Sequence, residues 1–273
     1  SKFRLYGKKG AFLGDTVKGA FLGNGSSYGL TEDGEEAYIP ITGEVLESTT
    51  GFSLEAVLKS GYEYKLIEEN APKGYQIGVK QGGIFRLKKD GSGLEFVGAS
   101  GNEDGIFEIK LTGNVGTLVL KNSPTKFTFT EVDQYENTVL HSEFKLYEAN
   151  SDGDKLSTTA LTTWTNTGGN THELSKLHAD AYYRLERTNQ SVLYEKNHPT
   201  NDYYLFQISH DGKELKEVSG ISGKKNISGD IVKEGANKNK ELKIKATRIL
   251  AHASLIKLDR EPKTVGGTDY AKL

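Results

Sequence analysis

The chain has 273 residues, enough for two domains with cores of their own, and its 35 basic and 37 acidic side chains leave a formal net charge of −2. With no long run of one sign, that balance argues against a nucleic-acid groove or a polybasic membrane patch. The absence of cysteine excludes a disulfide framework and thiolate chemistry.

No apolar run reaches the roughly 18–20 residues of a membrane helix, and Ser1 opens no charged-then-apolar leader. With no Met in the chain, a mature or trimmed product is expected. The 32 Gly, 14 Tyr and 11 Phe, with many Thr and Val, favour short strands and tight turns, so the fold is expected to be all-β. The segment from Gly10 to Thr50, rich in Gly and Ser, reads as an exposed insertion. Beyond it, IFRLKK from Ile84, TLVLKN from Thr117, KFTFTEV from Lys126, EFKLYEA from Glu143 and ELKIKA from Glu241 alternate apolar and polar residues with period two. Such runs suit sandwich strands with one buried face.

The same plan is written twice in the same order. FRLY at Phe3 matches FKLY at Phe144, EYKLIEEN at Glu63 matches YYRLERTN at Tyr182, IFRLKKDG at Ile84 matches LFQISHDG at Leu205, and TLVLKN at Thr117 matches ELKIKA at Glu241. Both Asp-Gly pairs, Asp90-Gly91 and Asp211-Gly212, sit where a tight hairpin turn needs positive φ. The boundary is placed near Ser123-Pro124-Thr125, giving domains 1–125 and 126–250 and a tail 251–273. KFTFTEVD, Lys126 to Asp133, opens the second copy, and HASLIKLD, His252 to Asp259, follows its end. The first copy begins at what corresponds to the second strand of the plan.

One stretch is specific. YKLIEENAPKGY, Tyr64 to Tyr75, joins a carboxylate-bearing strand to an Ala-Pro-x-Gly-Tyr corner, and it resembles the glutamate box of Cna protein B-type (CnaB) domains in Gram-positive pilins and adhesins. The resemblance implies two tandem immunoglobulin-like β-sandwich domains, the first lacking its own first strand. It also implies a spontaneous amide bond between a first-strand Lys and a last-strand Asn. By position these are Lys257 and Asn122, with Glu68 as the promoting acid and base. A Lys amine attacks only when neutral, which burial among apolar side chains favours. A protonated Glu68 is expected to hydrogen-bond to the Asn122 carboxamide oxygen, polarise its carbon, then carry a proton from the amine to the departing ammonia. Taken singly, the commoner roles are bland: a solvated strand Glu, a turn-forming Asn and an outward-reaching Lys.

The second copy lacks all three reactive residues. Glu131 stands at the Lys position, Arg187 at the Glu position and Ala246 at the Asn position, and NQSVLYEKN replaces the corner. No such amide can form there, and a buried or half-buried Glu131–Arg187 salt bridge is predicted in its place. A one-residue shift of register would put Glu186 there instead.

Three arrangements of the tail stay open: a slice from a longer tandem array, a tail folded back on its own first domain, and a donor strand that completes the first domain of the next molecule. The eight residues from Thr247 to Ser254 span at most about 28 Å, short of a domain roughly 30–40 Å across. Donation is therefore the working expectation. It makes the chain a structural subunit of an extracellular surface filament on a Gram-positive-type bacterium, with copies of itself as partners and a host protein or glycan as a further one. The alternative is a ligand-binding cell-surface adhesin fragment, a tandem stalk of a sortase-anchored protein. Neither an LPxTG signal nor a Tyr-Pro-Lys-Asn motif is present. No cofactor or metal is expected, and no enzyme beyond a single-turnover autocatalytic step. Asn150–Lys155 has only the opening of a calcium loop, the six His lack metal-ligand spacing, and Trp164 is expected in packing.

Overall fold

The computed structural model describes residues 1–7, 39–40, 46–47, 58–78, 83–97, 107–112, 115–167, 171–190, 192–195, 203–218, 227–249, 264–265 and 268–269. These residues are all-β. In the first half the strands are β1 (Lys2–Gly7), β2 (Ile39–Pro40), β3 (Leu46–Glu47), β4 (Glu63–Asn70), β5 (Gly83–Leu87), β6 (Leu94–Phe96), β7 (Phe107–Thr112) and β8 (Val115–Leu120). One sheet runs β2-β1-β4-β5-β6, with β3 also on β1, and β7 pairs with β8 in a separate hairpin.

The second half contains β9 (Lys126–Asp133), β10 (Glu143–Ala149), β11 (Thr162–Thr165), β12 (Thr171–Ser175), β13 (Tyr182–Asn189), β14 (Tyr203–Ile208), β15 (Leu215–Glu217), β16 (Gly229–Ile231) and β17 (Glu241–Ala246). They form two sheets, β11-β10-β13-β14-β15 and β12-β9-β17-β16. The inward residues of both sheets meet in one core that includes Phe127, Phe129, Leu146, Leu185, Phe206, Leu242 and Ile244. Period-two alternation is what permits this, because each strand then has one apolar face to bury. Trp164 belongs to the same core, stacked on Phe144 and on His172 with ring centroids 5.4 and 4.3 Å away. In the tail β18 (Thr264–Val265) pairs with β19 (Thr268–Asp269); His252 to Asp259, and so Lys257, lie outside the described residues, as does most of Gly10–Thr50.

The two halves repeat each other in register. Phe3 faces Glu68 across β1 and β4, with a bulge at Lys2/Phe3, and Phe144 faces Arg187 across β10 and β13, with a bulge at Glu143/Phe144. Arg187, and not Glu186, therefore occupies the position of Glu68. Gly91 and Gly212 both have φ +72° in equivalent turns.

The sheets differ at one edge. In the second half β17 lies between β16 and β9, and runs parallel to β9. Leu242 and Ile244 on it are buried at 0 and 1% exposure. Among the described residues β8 pairs with β7 alone, and the equivalent Leu118 and Leu120 are only partly buried.

Phe206 is fully buried and packs against Phe129 and Tyr183 with centroids 5.6 Å apart in each case. Phe206→Ala is expected to destabilise the protein by about 3–5 kcal/mol, read as a lower urea midpoint at unchanged slope.

Candidate functional site

Glu68 is the sixth residue of β4, and the alternation that buries Tyr64 and Leu66 also buries it, at 2% exposure. A carboxyl there needs partners inside the protein. Asn122, two residues past the end of β8, donates its Nδ2 to both Glu68 oxygens at 2.9 Å and to the Gln76 carbonyl at 3.0 Å. The backbone N–H of Gly78 donates to Glu68 Oε2 at 3.0 Å. The structure thus joins Glu68 and Asn122, while Lys257 lies outside the described residues.

One detail differs from the expectation drawn from the sequence. The carboxamide nitrogen, not its oxygen, faces the carboxyl group. The Gln76 carbonyl decides this: it accepts only a donor, so Nδ2 points into the cleft between Gln76 and Glu68. Glu68 thus faces Nδ2, and the carboxamide oxygen is turned away from it.

At the equivalent place in the second half, Arg187 Nε lies 3.0 Å from Glu131 Oε1, each side chain 1% exposed. Arg187 Nη2 donates to the Lys245 carbonyl at 2.9 Å, and its guanidinium carbon lies 5.8 Å from the Phe144 ring centroid. Asn166 donates to Glu131 Oε2 at 2.9 Å. Burial pushes the Glu131 carboxyl above its ordinary value, and the Arg187 guanidinium pulls it back. Ala246, at the position of Asn122, packs with Val139 and Tyr194. The sequence reading did not single out Asn166, Gln76 or Gly78. Asn166 had a visible signal, a carboxamide two residues after the Trp164 expected in packing, whereas Gln76 and Gly78 act through backbone atoms common to every residue.

The corner at Gly74 and Tyr75 does further work at the junction of the two halves. Tyr75 bridges Pro124, and the Thr125 N–H donates to the Gly74 carbonyl at 3.0 Å. Thr125 is fully buried, its carbonyl accepts from the Lys176 N–H at 3.0 Å, and its hydroxyl donates to the Leu177 carbonyl at 2.8 Å. The Ile77 N–H donates to the Asp211 carbonyl at 2.9 Å. Gly74 has φ +82°, and a Cβ there would lie 2.9 Å from the Lys176 carbonyl oxygen, so only glycine permits the approach. His210 spans the same seam, with Nδ1 2.7 Å from Asp180 Oδ2 and Nε2 2.8 Å from the Glu69 carbonyl. Both partners are acceptors, so the doubly protonated ring satisfies both at once. The hydrogen bond to Asp180 accordingly raises the His210 pKa. A cavity of about 430 Å³ lies at this seam, lined by Glu68, Glu69, Asn70, Ile77, His210 and Asp211.

Among the described residues no group of three or more His, Cys, Asp or Glu could hold a metal ion, and no helix is long and apolar enough to cross a membrane. Asn150 folds an Asx turn, its Oδ1 accepting from the N–H groups of Asp152 and Asp154.

No family model and no curated protein matches the chain. Among solved structures it is similar to the C-terminal fragment of the pilus adhesin SpaC from Lactobacillus rhamnosus GG, at 17% identity and a TM-score of 0.44 over 93% of this chain and 90% of that one. It is also similar to GBS52, the minor pilin of Streptococcus agalactiae, at 12% identity and a TM-score of 0.25 over 94% and 86% of the two chains. The group B streptococcus pilus 2b backbone protein gives 10% identity and a TM-score of 0.32 over 91% and 79%. Similarity at this level leaves the chemistry to be read from the residues themselves.

Arg187→Ala leaves Glu131 buried without its cation and is expected to cost about 3–5 kcal/mol, whereas Glu131→Leu combined with Arg187→Met is expected to recover most of that loss. Urea denaturation of both variants measures it. The His210 contribution runs with the charged ring. Its folded-state pKa is raised, so the stabilisation is fully present below the unfolded value of about 6.5 and is lost as pH rises through the folded value. Melting curves of the parent and His210→Gln should therefore converge toward alkaline pH, and added salt should shrink the gap because His210 and Asp180 are each 56% exposed.

Proposed function

We propose that the chain is a structural, load-bearing part of an extracellular surface filament, whose first sandwich is closed by an amide bond between Lys257 and Asn122. The observation that carries this reading is the buried Glu68–Asn122 pair, with the carboxamide nitrogen held 2.9 Å from both carboxyl oxygens. Here the leaving nitrogen is pinned between an acid and the Gln76 carbonyl.

The step balances without a cofactor. The neutral Lys257 amine attacks the Asn122 carboxamide carbon, the C–Nδ2 bond breaks, and one ammonia departs as one secondary amide forms. Glu68 accepts the proton that the attacking amine loses and returns a proton to Nδ2, acting as base and then acid. Water exclusion favours each step, since the carboxyl group is almost wholly buried. The amide formed carries no charge, and once ammonia has left it is broken only by hydrolysis, which would leave an Asp in place of Asn122.

The strand that brings Lys257 is HASLIKLD, the counterpart in sequence of β9. In the second sandwich β9 covers β17, and the equivalent edge of β8 has no strand on it among the described residues. A donor strand on that edge would add main-chain hydrogen bonds and bury Leu118 and Leu120. We assign this donor strand to a neighbouring copy, which makes the filament a head-to-tail series. The first domain then spans 1–125, the second 126–250, and 251–273 completes the next molecule.

Intact mass spectrometry beside denaturing electrophoresis tests the reading. A ladder of subunit multiples, each junction lighter by one ammonia and giving a cross-linked Lys257–Asn122 peptide, is the expected result. A monomer lighter by one ammonia would place the bond within one chain. An unshifted monomer would remove the bond. Glu68→Ala and Asn122→Ala are each expected to abolish the loss of ammonia.

A further inference from the structure

We propose that the far pole of the second sandwich, built by Leu193, Tyr194, Arg248 and Ile249, is the seat of a second copy of this chain, which enters with the Lys88–Gly93 turn of its first sandwich. This deepens the head-to-tail reading above, and it stands on a different observation: one joint is completed, and among the described residues an equivalent seat and an equivalent turn lie exposed elsewhere.

The completed joint is the seam between the sandwiches. Its seat is made by the Tyr75–Pro124 bridge, the Gln76 N–H to Ser123 carbonyl bond of 2.8 Å and the Thr125 N–H to Gly74 carbonyl bond of 3.0 Å. The far pole repeats all three at equivalent positions. Tyr194 bridges Arg248, the Glu195 N–H donates to the Thr247 carbonyl at 2.9 Å, and the Ile249 N–H donates to the Leu193 carbonyl at 2.8 Å.

The plug of the completed joint includes the turn at Asp211-Gly212, closed by the Gly212 N–H on the Ser209 carbonyl at 2.9 Å. The first sandwich carries the same turn, closed by the Gly91 N–H on the Lys88 carbonyl at 3.0 Å, and the two glycines share φ +72°. Their surroundings differ. A Cβ at Gly212 would lie 3.0 Å from Thr125 Cγ2 and from the Tyr75 carbonyl oxygen, whereas a Cβ at Gly91 would meet nothing within 4 Å. The same shape is seated in one sandwich and open in the other.

The surface of the far pole is also apolar where a filled seat is covered. Thr125 is 0% exposed in the completed joint, but its counterpart Ile249 is 54% exposed, and beside it stand Leu193 at 56% and Val192 at 82%. Three large apolar side chains grouped at one pole are a surface that association would cover. Seat and plug are different surfaces, one on each sandwich, so their contact is heterologous and joins copy to copy in one direction. The second joint is not a copy in detail. Leu193 stands where the first has Gly74, whose missing Cβ admits the Lys176 carbonyl. The incoming copy therefore rides on the Leu193 and Ile249 side chains, and this contact is more apolar than the backbone-bonded seam within the chain.

Because the chain has no cysteine, paired single-cysteine variants report the contact directly. Leu193→Cys and Lys89→Cys proteins, each carrying Asn122→Ala so that no amide tethers them, are mixed under mild oxidation. The expected product is the mixed Leu193→Cys/Lys89→Cys heterodimer, in several-fold excess over either homodimer and suppressed by adding Ile249→Lys to the first partner. Homodimers alone, or a statistical mixture insensitive to Ile249→Lys, would overturn the proposal. Heterodimer without ammonia loss in the parent protein would uphold this surface and remove the amide. Ammonia loss in the parent without heterodimer would do the opposite.

Discussion

A charged or strongly polar group in the buried row of a sandwich strand has to find its partners inside the protein, and both halves of this chain are organised around that requirement at one equivalent position. In the first it is the Glu68 carboxyl, in the second the Arg187 guanidinium. Leaving either without partners would cost several kcal/mol. The partners consequently come from the elements that close the fold: the residue after the last strand, the corner after the box strand and, in the second half, the first strand. Satisfying one buried group ties the two sheets of a sandwich together.

The two solutions differ in what they leave behind. The Glu131–Arg187 pair is a buried salt bridge, in which the desolvation of both groups offsets much of their attraction. The Glu68–Asn122 pair is neutral on the Asn side and sets the carboxamide nitrogen against the carboxyl group. Only this second arrangement is compatible with the proposed amide, which would need a lysine from a strand beside β8. The partly buried Leu118 and Leu120 mark the same place from the side of packing.

Much of this was legible in the sequence because it is written in side chains at fixed spacing. Period-two runs give the strands, and the internal repeat aligns Arg187 with Glu68. The pairing of Phe144 with Arg187 then decides between Arg187 and its neighbour Glu186. The seam between the sandwiches was not legible, since Thr125, Gly74, Lys176 and Asp211 meet through backbone N–H and carbonyl groups that leave no residue signature. Gly74 is the exception in principle: a glycine in the corner could mark a close approach, but it could equally serve the turn alone. The orientation of the Asn122 carboxamide depends on the Gln76 carbonyl, and backbone position is something no residue spacing encodes.

The burial of Thr125 bears on how such a protein would be degraded. A protease binds its substrate as an extended, accessible strand, and the natural place to cut a two-domain chain is the link between domains. Here that link, residues 121–125, exposes Lys121, Ser123 and Pro124, but its backbone is bonded to the corner at the Ser123 carbonyl and the Thr125 N–H, and Thr125 itself is fully buried. Separating the sandwiches by cleavage therefore requires the seam to open first, and its lifetime in a digestive environment follows the free energy of that local opening.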